Sequence, residues 1–169
     1  MPTHKRENYL RRSVNYWRHF DVRVIIVDSS PDVVNIETPT HIEYHHCVGQ
    51  GFSAKVKKAM DMVQTPYVVM CPDDDFQTEQ GLVACIEFLE KNPDYSCAQG
   101  RYICFKQDNG EILLKEIYRS EDDFHINDKE VIARIEKGLF NYNLWYWSVH
   151  RSDALKQIYK AYENVRNGN

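Results

Sequence analysis

The chain has 169 residues, of which 43% are apolar and 27% charged, and carries a formal net charge of −4 at pH 7. That length suits one domain with a core of its own, and the composition excludes a chain disordered throughout. The negative balance argues against general nucleic-acid binding, which needs a basic face. The basic run His4, Lys5, Arg6, Arg11 and Arg12 is short enough to read as a solvated helix face. No stretch is long and apolar enough to span a bilayer, and no signal peptide is visible. The five cysteines are irregularly spaced, without a C-x-x-C pair. They imply neither a disulfide framework nor a zinc site, and suggest a cytoplasmic protein, free or at the inner membrane surface.

In chain order, Glu7–His19 reads as a helix, with Leu10, Val14 and Trp17 on one face. Val22–Val27 is a β-branched run of the kind found in buried strands, and Asp28-Ser29-Ser30-Pro31 ends it as a turn. Ile42–Val48 suggests a short strand and Gly49-Gln50-Gly51 a loop; Ser53 is placed to cap a helix running to Val63. Tyr67–Cys71 is a second buried strand, stopped by Pro72. Thr78 is the expected cap of a helix to Lys91, ended by Asn92-Pro93. Tyr95–Phe105 and Glu111–Tyr118 read as extended segments around the hairpin turn Asp108-Asn109-Gly110. Ser120–Lys129 reads as a charged loop, Val131–Lys137 as a helix ended by Gly138, Leu144–Val149 as an aromatic strand, and Ser152 as the cap of a last helix to Val165. The fold class is therefore α/β: a mostly parallel sheet flanked by helices, with a mixed, antiparallel C-terminal part.

In an open sheet of this kind ligands bind beyond the carboxyl ends of the strands. That singles out Pro2–Arg6, Asp28 and the triplet Asp73-Asp74-Asp75. Adjacent carboxylates repel unless a cation relieves them, and Mg²⁺ or Mn²⁺ takes one or two carboxylates together with substrate phosphates. If the chain stays extended past Cys71, Asp73 and Asp75 face together and Asp74 faces away. The same triplet also suits a solvated turn ahead of a helix N-terminus. Asp28 can accept from a base N–H or a ribose hydroxyl, or simply form its turn.

Taken in order, these segments resemble the family 2 glycosyltransferases of the GT-A fold. Pro2-Thr3-His4-Lys5-Arg6 is similar to that family's P-T-x-N-R segment, and Val24–Ser30 to its I-V-D-D-G-S strand end. Gly51–Ala59 resembles G-x-x-x-A-R-N-x-G, and Tyr67–Asp75 resembles Y-I-x-F-L-D-x-D-D. Lys5 stands in place of the asparagine and Ser29-Ser30 in place of Asp-Gly. The resemblance implies a nucleotide-diphosphate sugar, UDP-sugar favoured, as donor and a glycan or other hydroxyl compound as acceptor. By the same carry-over, Pro2, Thr3, Arg6, Asp28, Lys55 and Asp74 would bind the nucleotide sugar, with Asp28 at the base. Asp73 and Asp75 would hold Mn²⁺ or Mg²⁺ as the D-x-D pair, and transfer would invert the anomeric carbon. Residues 1–105 would form the nucleotide-sugar half and 106–169 the acceptor half of a single domain. The chain is expected to be a fragment lacking the first strand and the C-terminal end.

No family-like general base follows the last strand; Asp122 and Asp123 are the weak candidates. Two alternatives remain open, a catalytically silent nucleotide-binding module and a nucleotidyltransferase that makes nucleotide sugars. The latter lacks its Gly-rich basic loop here. His45 and His46, adjacent on a strand, point to opposite faces and suggest no metal site. Trp145-Tyr146-Trp147 suits a core strand or an acceptor pocket. His150 and Arg151 suit either a diphosphate contact or the start of the last helix.

Overall fold

The computed structural model describes residues 1–116, 125–140 and 145–166. The chain opens with a short strand β1 (Pro2–Thr3), then α1 (Glu7–Trp17), β2 (Val24–Asp28), β3 (Ile42–His46), α2 (Phe52–Met62) and β4 (Tyr67–Val69). It continues with α3 (Glu79–Lys91), β5 (Cys97–Ala98), β6 (Ile103–Asp108), β7 (Glu111–Glu116), α4 (Val131–Phe140), a 3₁₀ turn at Trp145–Trp147, β8 (Val149–Arg151) and α5 (Ser152–Arg166). Strands β1, β2 and β3 form a parallel sheet in that order, with Thr3 beside Asp28 and Asp28 beside His46. A second sheet has the order β4-β8-β5, with β8 antiparallel to both neighbours, and β6 and β7 form a separate hairpin.

Alternation along β2 explains the layering. Ile26 packs with Leu10, Val14 and Trp17 of α1, whereas Ile25 packs with Val56 and Met60 of α2. Both faces of the sheet are thus covered, which is why β2 reads as a continuous apolar run rather than an alternating one. Full burial of side chains such as Leu10 and Ile26 contributes about 1.5–3 kcal/mol each. A third cluster sets Cys85 and Leu89 of α3 against Val149. Arg151 locks that cluster. Its guanidinium donates to the carbonyls of Leu89 (2.6 Å) and Tyr95 (2.9 Å) and to the Tyr67 hydroxyl (3.2 Å). A cation is well placed there, at the carbonyl end of α3.

Several expectations hold in detail. The Thr78 hydroxyl accepts from Gly81 N at the start of α3, and Asn109 and Gly110 take φ of 49° and 87° in the β6–β7 turn, the conformation that two-residue hairpins demand. Others are corrected. Strand β4 joins the parallel sheet through no backbone ladder and pairs with β8 instead. Gly51, not Ser53, is the N-cap of α2, and no side chain caps that end. Gly138 lies inside α4 rather than ending it, since it does not adopt the left-handed conformation of a terminating glycine. Trp145–Trp147 is a 3₁₀ turn closed by Ser148 N to Trp145 O at 3.1 Å, and the strand begins only at Val149. The buried Ser152 hydroxyl has no hydrogen-bond partner among the described residues, so it does not cap α5.

Candidate functional site

The ends of β1 and β2 and the loop after β4 meet at one edge of the fold. Thr3 ends β1, and its buried hydroxyl donates to Asp73 Oδ2 at 2.6 Å. Arg6, just beyond, reaches Asp73 Oδ1 at 2.9 Å and Asp74 Oδ2 at 2.7 Å. Helix α1 holds the backbone of the same loop along one face. Arg12 donates to Asp74 O (3.1 Å), Ser13 to Asp73 O (2.8 Å) and Tyr16 to Gln77 O (2.8 Å). Residues three and four apart share a helix face, so a single stripe of α1 satisfies carbonyls that no ladder pairs. The Arg6 and Arg12 guanidinium carbons stand 4.1 and 4.8 Å from the Tyr9 ring centroid, and Arg12 lies 4.9 Å from Phe76. These cation–π contacts help to orient both arginines.

Asp28 is 1% exposed. Its Oδ1 accepts from the Ser30 amide (2.8 Å) and hydroxyl (2.6 Å), and its Oδ2 from the Tyr44 hydroxyl (2.7 Å). Burial pushes the carboxyl pKa up, but the bonds from Ser30 and Tyr44 outweigh it and hold the group below its ordinary value. Burial, together with the Asp28 charge, pushes the Tyr44 phenol up to about 12. The Ser30 hydroxyl also accepts from Lys5 N at 2.8 Å, and Lys5 is held at φ 54°. That left-handed conformation comes readily to asparagine and glycine and costs other residues. Lys55 is buried as well. Its ammonium donates to Thr3 O at 2.6 Å, and burial lowers its pKa against the pull of Asp28 and Asp73. Lys55 therefore braces the end of β1 between two carboxylates.

The expected alternation of Asp73 and Asp75 depends on extended chain, and the chain there is not extended. Strand β4 ends at Val69, and Asp73-Asp74 form a turn. Asp73 is 2% exposed and has both oxygens bonded to Thr3 and Arg6. Among the described residues no three His, Cys, Asp or Glu side chains converge as a metal cage. A cation that takes most of its oxygens from a diphosphate needs only one or two carboxylates, and Asp75 fits that donor set. It is partly exposed, and its Oδ2 is oriented by the Tyr102 hydroxyl at 2.5 Å. The Asp74 side chain is 44% exposed and lies beside it. The neighbouring Cys71 thiol is pushed up to about 12, chiefly by burial and further by the three acids, so it stays protonated and is no nucleophile.

His150 and Arg151 are not at this edge. His150 is buried and Arg151 is committed to α3. Trp145 lines a cavity of about 1100 Å³ between α3, β5 and α4, whereas Trp147 packs against the α2–α5 core. Asp122 and Asp123 lie outside the described residues. Sequence reasoning missed Ser13, Tyr16, Tyr44 and Tyr102. Only Ser13 left a signal, as a polar residue on the apolar stripe of α1 with Leu10, Val14 and Trp17.

The family model described as Glycosyl transferase family 2 matches residues 1–163. The chain belongs to that family. The GT-A-like α/β architecture expected of a family 2 glycosyl transferase accords with the parallel and antiparallel sheets described above. Sugar transfer from a nucleotide-sugar donor to an acceptor is the general chemistry of the family. No curated protein and no solved structure matches the chain significantly. Among the described residues no helix is long and apolar enough to cross a membrane.

Proposed function

We propose that this family 2 glycosyl transferase moves a sugar, with inversion, from a UDP-sugar or related donor to a hydroxyl of a glycan or similar acceptor, aided by Mn²⁺ or Mg²⁺. The observation that carries the reading is the convergence of Arg6, Asp73 and Asp74 on Thr3 at the carboxyl end of β1 in the parallel sheet, where open α/β sheets take their ligands. Pro2, Thr3 and Arg6 border the nucleotide. Asp28, with its oxygens already holding Ser30 and Tyr44, fixes the walls of the base site. Lys55 stabilises the β1 end and supplies positive potential beneath the diphosphate. Asp75 holds the cation, with Asp74 beside it, and Asp73 is the buried anchor of the loop. The cation supplies Lewis acidity that stabilises charge on the departing diphosphate.

The acceptor oxygen bonds to the anomeric carbon as the bond from that carbon to the diphosphate oxygen breaks, and the hydroxyl proton passes to a base. Asp122 and Asp123 are the candidates for that base. The five free thiols support a reducing, cytoplasmic setting. The test is UDP release from a panel of UDP-sugars with Mn²⁺, with and without glycan acceptors. Acceptor-dependent release supports transfer. Binding of UDP without any release indicates a silent module, and pyrophosphate-dependent cleavage of the donor indicates a nucleotidyltransferase.

A further inference from the structure

We propose that Tyr102 is a positioning residue that sets the carboxylate of Asp75 for its cation, an inference that rests on the reading of Asp75 as the cation ligand. The Tyr102 hydroxyl donates to Asp75 Oδ2 at 2.5 Å across 27 positions of sequence. Asp75 needs such a partner. It lies in a segment without regular secondary structure, between the turn at Asp73-Asp74 and α3. The carbonyls around it are held firmly, those of Asp73, Asp74 and Gln77 by Ser13, Arg12 and Tyr16. Among the described residues the carbonyl of Asp75 itself receives only the Cys71 thiol, at 3.8 Å. The backbone bonds thus fix the loop, and the Tyr102 bond fixes the side chain.

The chemistry of the two kinds of partner differs. Arg6 shares one positive charge between Asp73 and Asp74, which offsets part of their negative charge in place. A phenol brings one neutral donor to one oxygen, so it orients the Asp75 carboxylate while leaving its negative charge for a cation. Partners of this kind orient metal-binding carboxylates and tune their affinity. Tyr102 directly precedes β6, and the Phe76 and Phe105 rings approach to 6.0 Å between centroids. The β6–β7 hairpin is therefore tied to the acidic loop at Asp75 and at Phe76.

The test is titration of Mn²⁺ by electron paramagnetic resonance, in the presence of UDP, on the wild type, Tyr102→Phe, Asp75→Asn and the double variant. Tyr102→Phe is expected to weaken Mn²⁺ binding by about 10–100-fold, leave metal-free UDP binding unchanged, and cost nothing further in the Asp75→Asn background. Wild-type Mn²⁺ affinity in Tyr102→Phe, with a loss in Asp75→Asn, overturns the role of Tyr102 and leaves the function standing. An equal effect of Tyr102→Phe with and without Asp75 also overturns it. No loss in Asp75→Asn sinks the reading of Asp75 and this inference with it. If Tyr102→Phe does not fold, 3-fluorotyrosine at position 102 replaces it as an isosteric, stronger donor. Mn²⁺ affinity unmoved by that replacement overturns the proposal.

Discussion

Thr3 and Asp73 stand seventy residues apart in sequence, and the hydroxyl of one donates to the carboxylate of the other at 2.6 Å inside the protein. This bond stitches the end of β1 to the acidic loop. It also takes one oxygen of Asp73 out of reach of solvent. Thr3→Val keeps the shape and removes the donor, leaving a buried carboxylate oxygen unpaired. Unfolding in urea should show a loss of about 1–3 kcal/mol. An unchanged midpoint would mean that water replaces the hydroxyl.

Lys5 carries a left-handed backbone where the family pattern has asparagine, and its amide bonds to Ser30. Lys5→Asn should relieve that cost and raise stability by up to about 1 kcal/mol, read from the urea midpoint. A fall in stability would show that the lysine side chain contributes more than its backbone costs.

Arg151 separates a structural cation from a substrate-binding one. Its donors go to Leu89, Tyr95 and Tyr67. Arg151→Met retains the apolar stem and should cost about 1.5–3 kcal/mol of stability, while UDP affinity measured by calorimetry stays at the wild-type value. A selective loss of UDP affinity would return Arg151 to the diphosphate.

His150 gives the pH dependence a sign. Burial holds its pKa below the ordinary imidazole value, against raising contributions from the backbone of Tyr146 and Trp145. The folded state thus binds fewer protons than the unfolded state in this window. The contribution of His150 is fully present above the ordinary value, near pH 6.5, and is lost as pH falls from there through the lower folded value. Urea unfolding of the wild type should weaken between pH 7 and pH 5, and His150→Gln should flatten that slope. An equal slope in both proteins would place the titration elsewhere.

The sequence made the end of β2 legible because its β-branched run stops abruptly at Asp28, whereas the Tyr67–Cys71 run marked β4 but not its end at Val69. Layering was legible for the same reason, since a strand apolar on both faces needs helices on both. Side-chain traffic between distant segments was not. Nothing near Tyr102 announces its bond to Asp75, and the Thr3–Asp73 pair shows only when the loop after β4 is laid beside the end of β1. The D-x-D geometry failed as a local inference because the strand ends at Val69 and Asp73 enters a turn. The same pattern of aromatic residues suits a strand or a tight turn, and at Trp145–Trp147 the need to place β8 between β4 and β5 coincides with the turn.

Division of labour within the acidic triplet is the central claim: Asp73 anchors, and Asp75 takes the cation. Calorimetric titration of UDP with and without Mn²⁺, on the wild type and on Asp75→Asn, tests it most directly. Mn²⁺ is expected to tighten UDP binding to the wild type and not to Asp75→Asn, whose thermal midpoint stays at the wild-type value. Equal tightening in Asp75→Asn, or no UDP binding by the wild type with Mn²⁺ present, would contradict it.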